Sequence, residues 1–126
     1  MKILYVAIGG SIGAILRYLV SGMAFKIFEK MFPWGTLSVN LIGAAIIGFL
    51  YTVFEYYEVD SNLRAFLFVG ILGAFTTFSS FCLESVNLIR DGEYKYAALN
   101  ILVSNISGIL LVIAGILLAK VILTKM

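Results

Sequence analysis

The sequence predicts an all-α membrane protein of four spanning helices, the third of them broken. Three observations carry that prediction. The 126 residues are 62% hydrophobic with a mean hydropathy of +1.07, far above soluble globular composition. The apolar residues gather into runs at roughly 3–28, 35–56, 63–89 and 96–119, each near the length of about 20 residues that a spanning helix requires. Within the third run, Gly73-Ala-Phe-Thr-Thr-Phe-Ser-Ser-Phe81 sets hydroxyls between phenylalanines where a lipid-facing segment would be aliphatic. The length suits a single transmembrane domain, 1–126.

The first run follows Lys2 with an apolar stretch from Ile3 to Leu16, which imitates a secretory signal. No small-residue cleavage site follows it, so it is read as the first span. The connections expected after it are short: Glu29-Lys30-Met31-Phe32-Pro33-Trp34-Gly35, then Glu55 to Asn62, then Arg90-Asp91-Gly92-Glu93. Each is rich in the charges and breakers that loops favour.

Lys and Arg in the flanks should mark the cytoplasmic side. Four spans place Lys2, Arg64, Lys120 and Lys125 on one side and Lys26, Lys30, Arg90 and Lys95 on the other. This balance fits a protein that inserts both ways and pairs with an inverted copy; it fits equally a weakly biased protein oriented by other means. Small residues at Gly9 and Gly13, Gly10 and Ala14, and Ser104, Gly108 and Gly115 favour close helix approach, within one chain or between two.

Composition excludes several functions. A net charge of +2 from scattered cations is no nucleic-acid surface. One cysteine, Cys82, and no histidine leave neither an intrachain disulfide nor a His/Cys metal site. No nucleophile with an adjoining base stands out, so no enzyme is expected.

The polar residues inside the spans are the functional candidates. Arg17 lies about 14 residues into the first span, roughly 21 Å along its axis, deep enough to attract an anion and near enough to the far side to snorkel. Asn40 has Thr36 one turn before it; its amide either glues helices or donates to a permeant species. Glu84 is a carboxylate well inside the third run, and Asn100, Ser104, Asn105 and Ser107 give the fourth a polar stripe. Each helix thus brings polar groups to a shared interior.

Gly70 and Gly73 each weaken a helix by about 1 kcal/mol, and threonine hydroxyls compete for backbone groups, so Gly73-Ala-Phe-Thr-Thr77 is the expected break. Unwound backbone in a bilayer survives only where it is buried or lines a cavity, and its freed carbonyls suit a hard cation such as Na⁺. Beyond the break, Phe78 and Phe81 share a helical face, with Ser79 and Ser80 on an adjoining one. Phenylalanines so spaced serve as core or lipid contact, or turn their positive ring edges to an anion.

These residues resemble the Fluc/CrcB family of fluoride channels over essentially the whole chain. The carriers are Gly9-Gly-Ser-Ile-Gly-Ala-Ile-Leu-Arg17, Gly35-Thr-Leu-Ser-Val-Asn40 and Gly70-Ile-Leu-Gly-Ala-Phe-Thr-Thr-Phe-Ser-Ser-Phe-Cys-Leu-Glu84; the third is the specific one, close to the family pattern G-x-x-G-x-x-[ST]-T-F-S-[ST]-F followed by Glu. The resemblance implies an antiparallel, dual-topology homodimer in the cell membrane with two pores, passive and fluoride-selective, releasing toxic fluoride from the cell. It also implies a structural Na⁺ at the dimer axis, held by the carbonyls of Gly73 and Thr76. By the same resemblance Phe78 and Phe81 are the pore rings, Ser79 and Ser80 the polar track, Asn40 the pore amide, Arg17 the vestibule cation and Glu84 the acidic residue. The fourth-helix serine falls near Gly108, at Asn105 or Ser107, of which Ser107 is the hydroxyl. Cys82 departs mildly, standing where relatives often have Ser or Ala.

Two other functions compete. A small four-helix multidrug/proton antiporter would need a carboxylate in the first span, where this chain has Arg17. An assembly subunit would use the polar groups only to join helices.

Overall fold

Helix ends follow the breakers more closely than the hydropathy. The computed structural model describes residues 1–28 and 31–126, all helical or connecting, with no strand among them. Its elements are α1 (Lys2–Ile27), α2 (Trp34–Tyr56), α3 (Ser61–Arg64), a π-helix (Ala65–Leu72), α4 (Gly73–Phe75), α5 (Phe78–Arg90) and α6 (Tyr94–Thr124). Together they form four stretches long and apolar enough to cross a membrane, the third being Ser61–Arg90. Part of the first expected connection, Glu29 and Lys30, lies outside the described residues.

Pro33 immediately precedes α2, a place where its missing N–H removes no helical hydrogen bond. Between α5 and α6 the chain reverses at Gly92, whose φ of +77° is open to glycine at little cost. There the Glu93 N–H donates to the Leu88 carbonyl at 2.8 Å and the Gly92 N–H to the Ile89 carbonyl at 3.1 Å, a Schellman closure that satisfies the last carbonyls of α5. Helix α6 runs past the expected 119 to Thr124, because Lys120 ends an apolar run without ending a helix.

Two helix pairs form the bundle, α2 with α6 and α1 with the front half of the third span. Both are close approaches made by glycine. A methyl group on Gly13 would overlap the Ile71 carbonyl, and one on Gly115 the Ala45 carbonyl. The Gly9 and Gly13 pair is therefore occupied inside the chain, whereas Gly10 meets nothing within 4 Å. Much of the outer surface is aliphatic, including Ile3, Leu102 and Leu117, as a lipid-facing bundle requires.

The third span differs from expectation in two ways. Its break is narrower than Gly73–Thr77: Gly73 is helical at φ −61°, ψ −35°, and only Thr76 (ψ 159°) and Thr77 (φ −148°, ψ 119°) are extended. Glycine lowers helix propensity but does not compel a turn; competition for backbone partners at the threonines sets the break. Ahead of it, Ala65–Leu72 is wound as a π-helix, a wide winding often found beside functional sites.

Replacing Gly13 with Ala is expected to lower stability by about 1–3 kcal/mol through overpacking, while Gly10→Ala should change it by no more than about 0.5 kcal/mol. Thermal unfolding of the two variants in detergent measures the contrast.

Candidate functional site

At the break, two side chains replace lost helical partners. The Thr77 N–H donates to Asn40 Oδ1 at 2.8 Å, and Asn40 Nδ2 donates back to the Thr77 carbonyl at 3.0 Å. A carboxamide presents a donor and an acceptor side by side, as a neighbouring peptide edge does, so α2 supplies the extended residue with a strand-like partner. The Thr77 hydroxyl caps α5, accepting from the Ser80 N–H at 3.3 Å and donating to Ser80 Oγ at 3.1 Å. In an unbroken helix the Thr77 N–H would go to the Gly73 carbonyl and the Ser80 N–H to the Thr76 carbonyl. Side-chain oxygens take both donors, which releases the carbonyls of Gly73 and Thr76.

Gly43, one turn beyond Asn40, makes the approach possible: a methyl group there would overlap Thr76 Cγ2. This role has no local signal in the sequence and exists only once α2 and the break are placed side by side. The Thr76 N–H and hydroxyl both donate to the Leu72 carbonyl, at 3.1 Å and 3.0 Å, and so hold the end of α4.

Grooves of mixed polar and apolar lining lie on both sides of the Asn40–Thr77 pair, the larger also walled by Ile47, Leu72 and Val112. One, of about 450 Å³, is lined by Asn40, Gly73, Thr76, Thr77 and Phe78 with Ser104, Asn105 and Gly108 of α6. The other, of about 400 Å³, is lined by Arg17, Ser21, Thr36, Thr77 and Ser80. Thr77 belongs to both, which makes the pair the partition between them. Asn40 has a second amide hydrogen beyond the one given to Thr77, and Asn40 lines the larger groove.

The remaining candidates are distributed around this centre. Phe78 is 77% exposed in the single chain, with its ring centroid 6.0 Å from that of Phe81. Ser79 is exposed, and neither it, Phe81 nor Ser107 lines either groove. On α6 the groove-lining hydroxyl is Ser104. Glu84 lines a separate groove of about 180 Å³ with Asn87 and Asp91, and its Oε1 is buried without a hydrogen-bond partner. Among the described residues no three His, Cys, Asp or Glu side chains gather as a metal cluster.

A buried relay ties α5 to α6. Ser85 Oγ donates to the Phe81 carbonyl at 2.8 Å, Asn100 Nδ2 donates to Ser85 Oγ at 2.9 Å, and Ser104 Oγ donates to Asn100 Oδ1 at 3.3 Å. Its direction is forced: with the Ser85 hydrogen on Phe81, Ser85 accepts from Asn100, whose oxygen is left to face Ser104. Asn100 is 1% exposed, so an unpaired amide there would have no water to turn to. The sequence put Asn100 and Ser104 on a polar stripe but gave no signal for Ser85.

Four apolar helical stretches, one broken between two grooves of mixed lining, define a multi-pass membrane protein of the broken-helix kind. The family model described as "CrcB-like protein, Camphor Resistance (CrcB)" matches residues 4–116, and the chain belongs to that family. A protein of Parabacteroides distasonis named "Fluoride-specific ion channel FluC" is 49% identical over 98% of this chain and 97% of its own length. Proteins of the same name from Magnetococcus marinus and Salinibacter ruber are each 43% identical, over 97% and 91% of this chain and 100% and 86% of their own lengths.

Removing the relay's centre with Asn100→Ala is expected to cost about 1–3 kcal/mol, the penalty for leaving buried hydrogen-bonding groups unmade. Ser104→Ala, which leaves Asn100 joined to Ser85, should cost less. Thermal unfolding in detergent ranks the two.

Proposed function

We propose that the chain is a passive, fluoride-selective ion channel that lets fluoride leave the cell across the cell membrane and so relieves its toxicity. The observation that carries this reading is the Asn40–Thr77 pair, a side-chain-capped break held between two grooves that each bring a few polar groups into an apolar wall. The names of the relatives agree with it. Fluoride is small and strongly hydrated, so it passes only where donors replace its water; a larger anion meets a narrow apolar wall. Arg17 draws anions into the smaller groove, where Ser80 offers a hydroxyl, and the free N–H of Asn40 serves the larger. The edges of Phe78 and Phe81 carry positive charge density toward the anion. Ser79 extends the polar track along α5, Ser104 contributes the α6 hydroxyl in place of Ser107, and Glu84 stands apart as an acidic residue in its own groove.

The working unit in this proposal is an antiparallel, dual-topology homodimer with two pores. An exposed Phe78 beside a groove open on one side supports it, since a second copy would complete the wall, and the balanced flanking charges favour insertion both ways. The carbonyls of Gly73 and Thr76 are hard oxygen donors of the kind that bind alkali and alkaline-earth cations, and they would hold a structural Na⁺ at the dimer axis. Bound there, the ion neutralises oxygens that the break has deprived of amides. The antiporter alternative is not favoured, because α1 contains no Asp or Glu to exchange protons.

The test is efflux from liposomes loaded with fluoride or chloride, followed with ion-selective electrodes. The expected result is fluoride efflux well above empty vesicles with chloride retained, and fluoride flux reduced by about fivefold in Phe78→Ile or Phe81→Ile, the scale of one lost aromatic interaction of about 1 kcal/mol, at unchanged dimer yield. Fluoride efflux no faster than from empty vesicles refutes the channel; equal loss of flux and dimer returns the rings to packing.

A further inference from the structure

Away from the break, a groove of about 320 Å³ opens among the start of α1, α2 and the front of the third span. Its lining includes Lys2, Tyr51, Ser61, Arg64, Phe68 and Val69. Lys2 and Ser61 begin their spanning helices, which sets this end of the groove at the depth of lipid headgroups. No carboxylate lines it; of the nearby acids, Glu55 stands at the end of α2 one turn beyond Tyr51, and Glu58 and Asp60 belong to the adjoining connection. Two cations thus share one concave site without a counter-charge in its wall.

Arg64 is held in place. Its Nη2 donates to the Phe54 carbonyl at 3.4 Å, and its guanidinium lies 5.6 Å from the Phe54 ring centroid. That ring is met edge-on by Phe68, with centroids 5.2 Å apart. One of five guanidinium donors is engaged, which leaves a preorganised fork for an oxyanion. Tyr51 and Ser61 add hydroxyls. Phe68 and Val69 continue the groove as an apolar wall, with Val69 60% exposed. Paired cations and hydroxyls at headgroup depth, above an apolar wall, match an anionic phospholipid: phosphate above and acyl chain below. A free phosphate would use the cations and leave the wall bare.

We propose that this groove is a binding site for an anionic phospholipid, its phosphate between Lys2 and Arg64 and an acyl chain along Phe68 and Val69. The site shares Phe68 with the larger groove, but its charged end at Lys2 and Arg64 is lined by none of that groove's polar residues, and the proposal does not depend on what the protein conducts. Native mass spectrometry of the full-length protein in detergent, incubated with dioleoylphosphatidylglycerol or dioleoylphosphatidylcholine, tests it. Phosphatidylglycerol should be retained in preference, and its binding should weaken about fivefold in Lys2→Gln and about thirtyfold in Lys2→Gln/Arg64→Gln, at the usual contribution of one surface cation each. Lys120→Gln/Lys125→Gln, which alters cations at the same end but outside the groove, should bind as the unaltered protein does. Equal retention of the two lipids, unchanged binding in Lys2→Gln, or displacement of the lipid by inorganic phosphate would each overturn the assignment. Lys2 makes no side-chain hydrogen bond among those found, so the single variant keeps the test decisive should Arg64→Gln fail to fold.

Discussion

A peptide turned out of helical register inside a bilayer must have its displaced amide and carbonyl paired again, and Asn40 performs that task for Thr77 with one side chain. An unpaired backbone group in hydrocarbon costs several kcal/mol, so a break without Asn40 would tend to close into helix. The arrangement has a direction. Because the amides of Thr77 and Ser80 go to side-chain oxygens, the carbonyls of Gly73 and Thr76 are left without those helical donors, and the break offers negative partial charge on one side. On the other side, the first turn of α5 offers N–H groups. One interruption thereby presents opposite partial charges in two directions, as a protein placing a cation beside an anion path would need.

The packing supports this arrangement at a distance. Gly43 lets Thr76 come close to α2, and Gly13 seats α1 against the π-helical segment that leads to the break. Behind α5, the relay from the Phe81 carbonyl through Ser85 and Asn100 to Ser104 fixes the helix that carries both phenylalanines. The break is therefore clamped from α2 at its centre and from α1 and α6 at its ends. In the proposed channel such clamping matters because donors must already be in place when an ion gives up its water.

Much of this was legible in the sequence, for physical reasons that also mark where legibility ends. Bilayer thickness fixes the length of an apolar run, so the spans could be read; hydrogen bonding fixes where a helix stops, and α6 accordingly passes Lys120 while hydropathy does not. The threonines announced a break, yet its narrowing to Thr76 and Thr77 depended on Asn40, thirty-seven residues away in sequence. Asn40 itself was legible as a polar group in need of a partner, and the structure supplies that partner in the Thr77 backbone. Ser104 rather than Ser107 faces the larger groove because the rotation of α6 is set by Gly48 and Gly115 against α2. Ser85, a single hydroxyl on a mixed helix face, had no local signal, and neither did the π-helix.

The central claim is that Asn40 keeps the third span open at Thr76 and Thr77. Solid-state NMR of threonine-labelled protein in bilayers reads it directly, through the carbon shifts of those two residues in the unaltered chain and in Asn40→Leu. The account predicts extended-backbone shifts in the former, and helical shifts in the latter as the Thr77 amide returns to the Gly73 carbonyl. Extended shifts that persist unchanged in Asn40→Leu would contradict it.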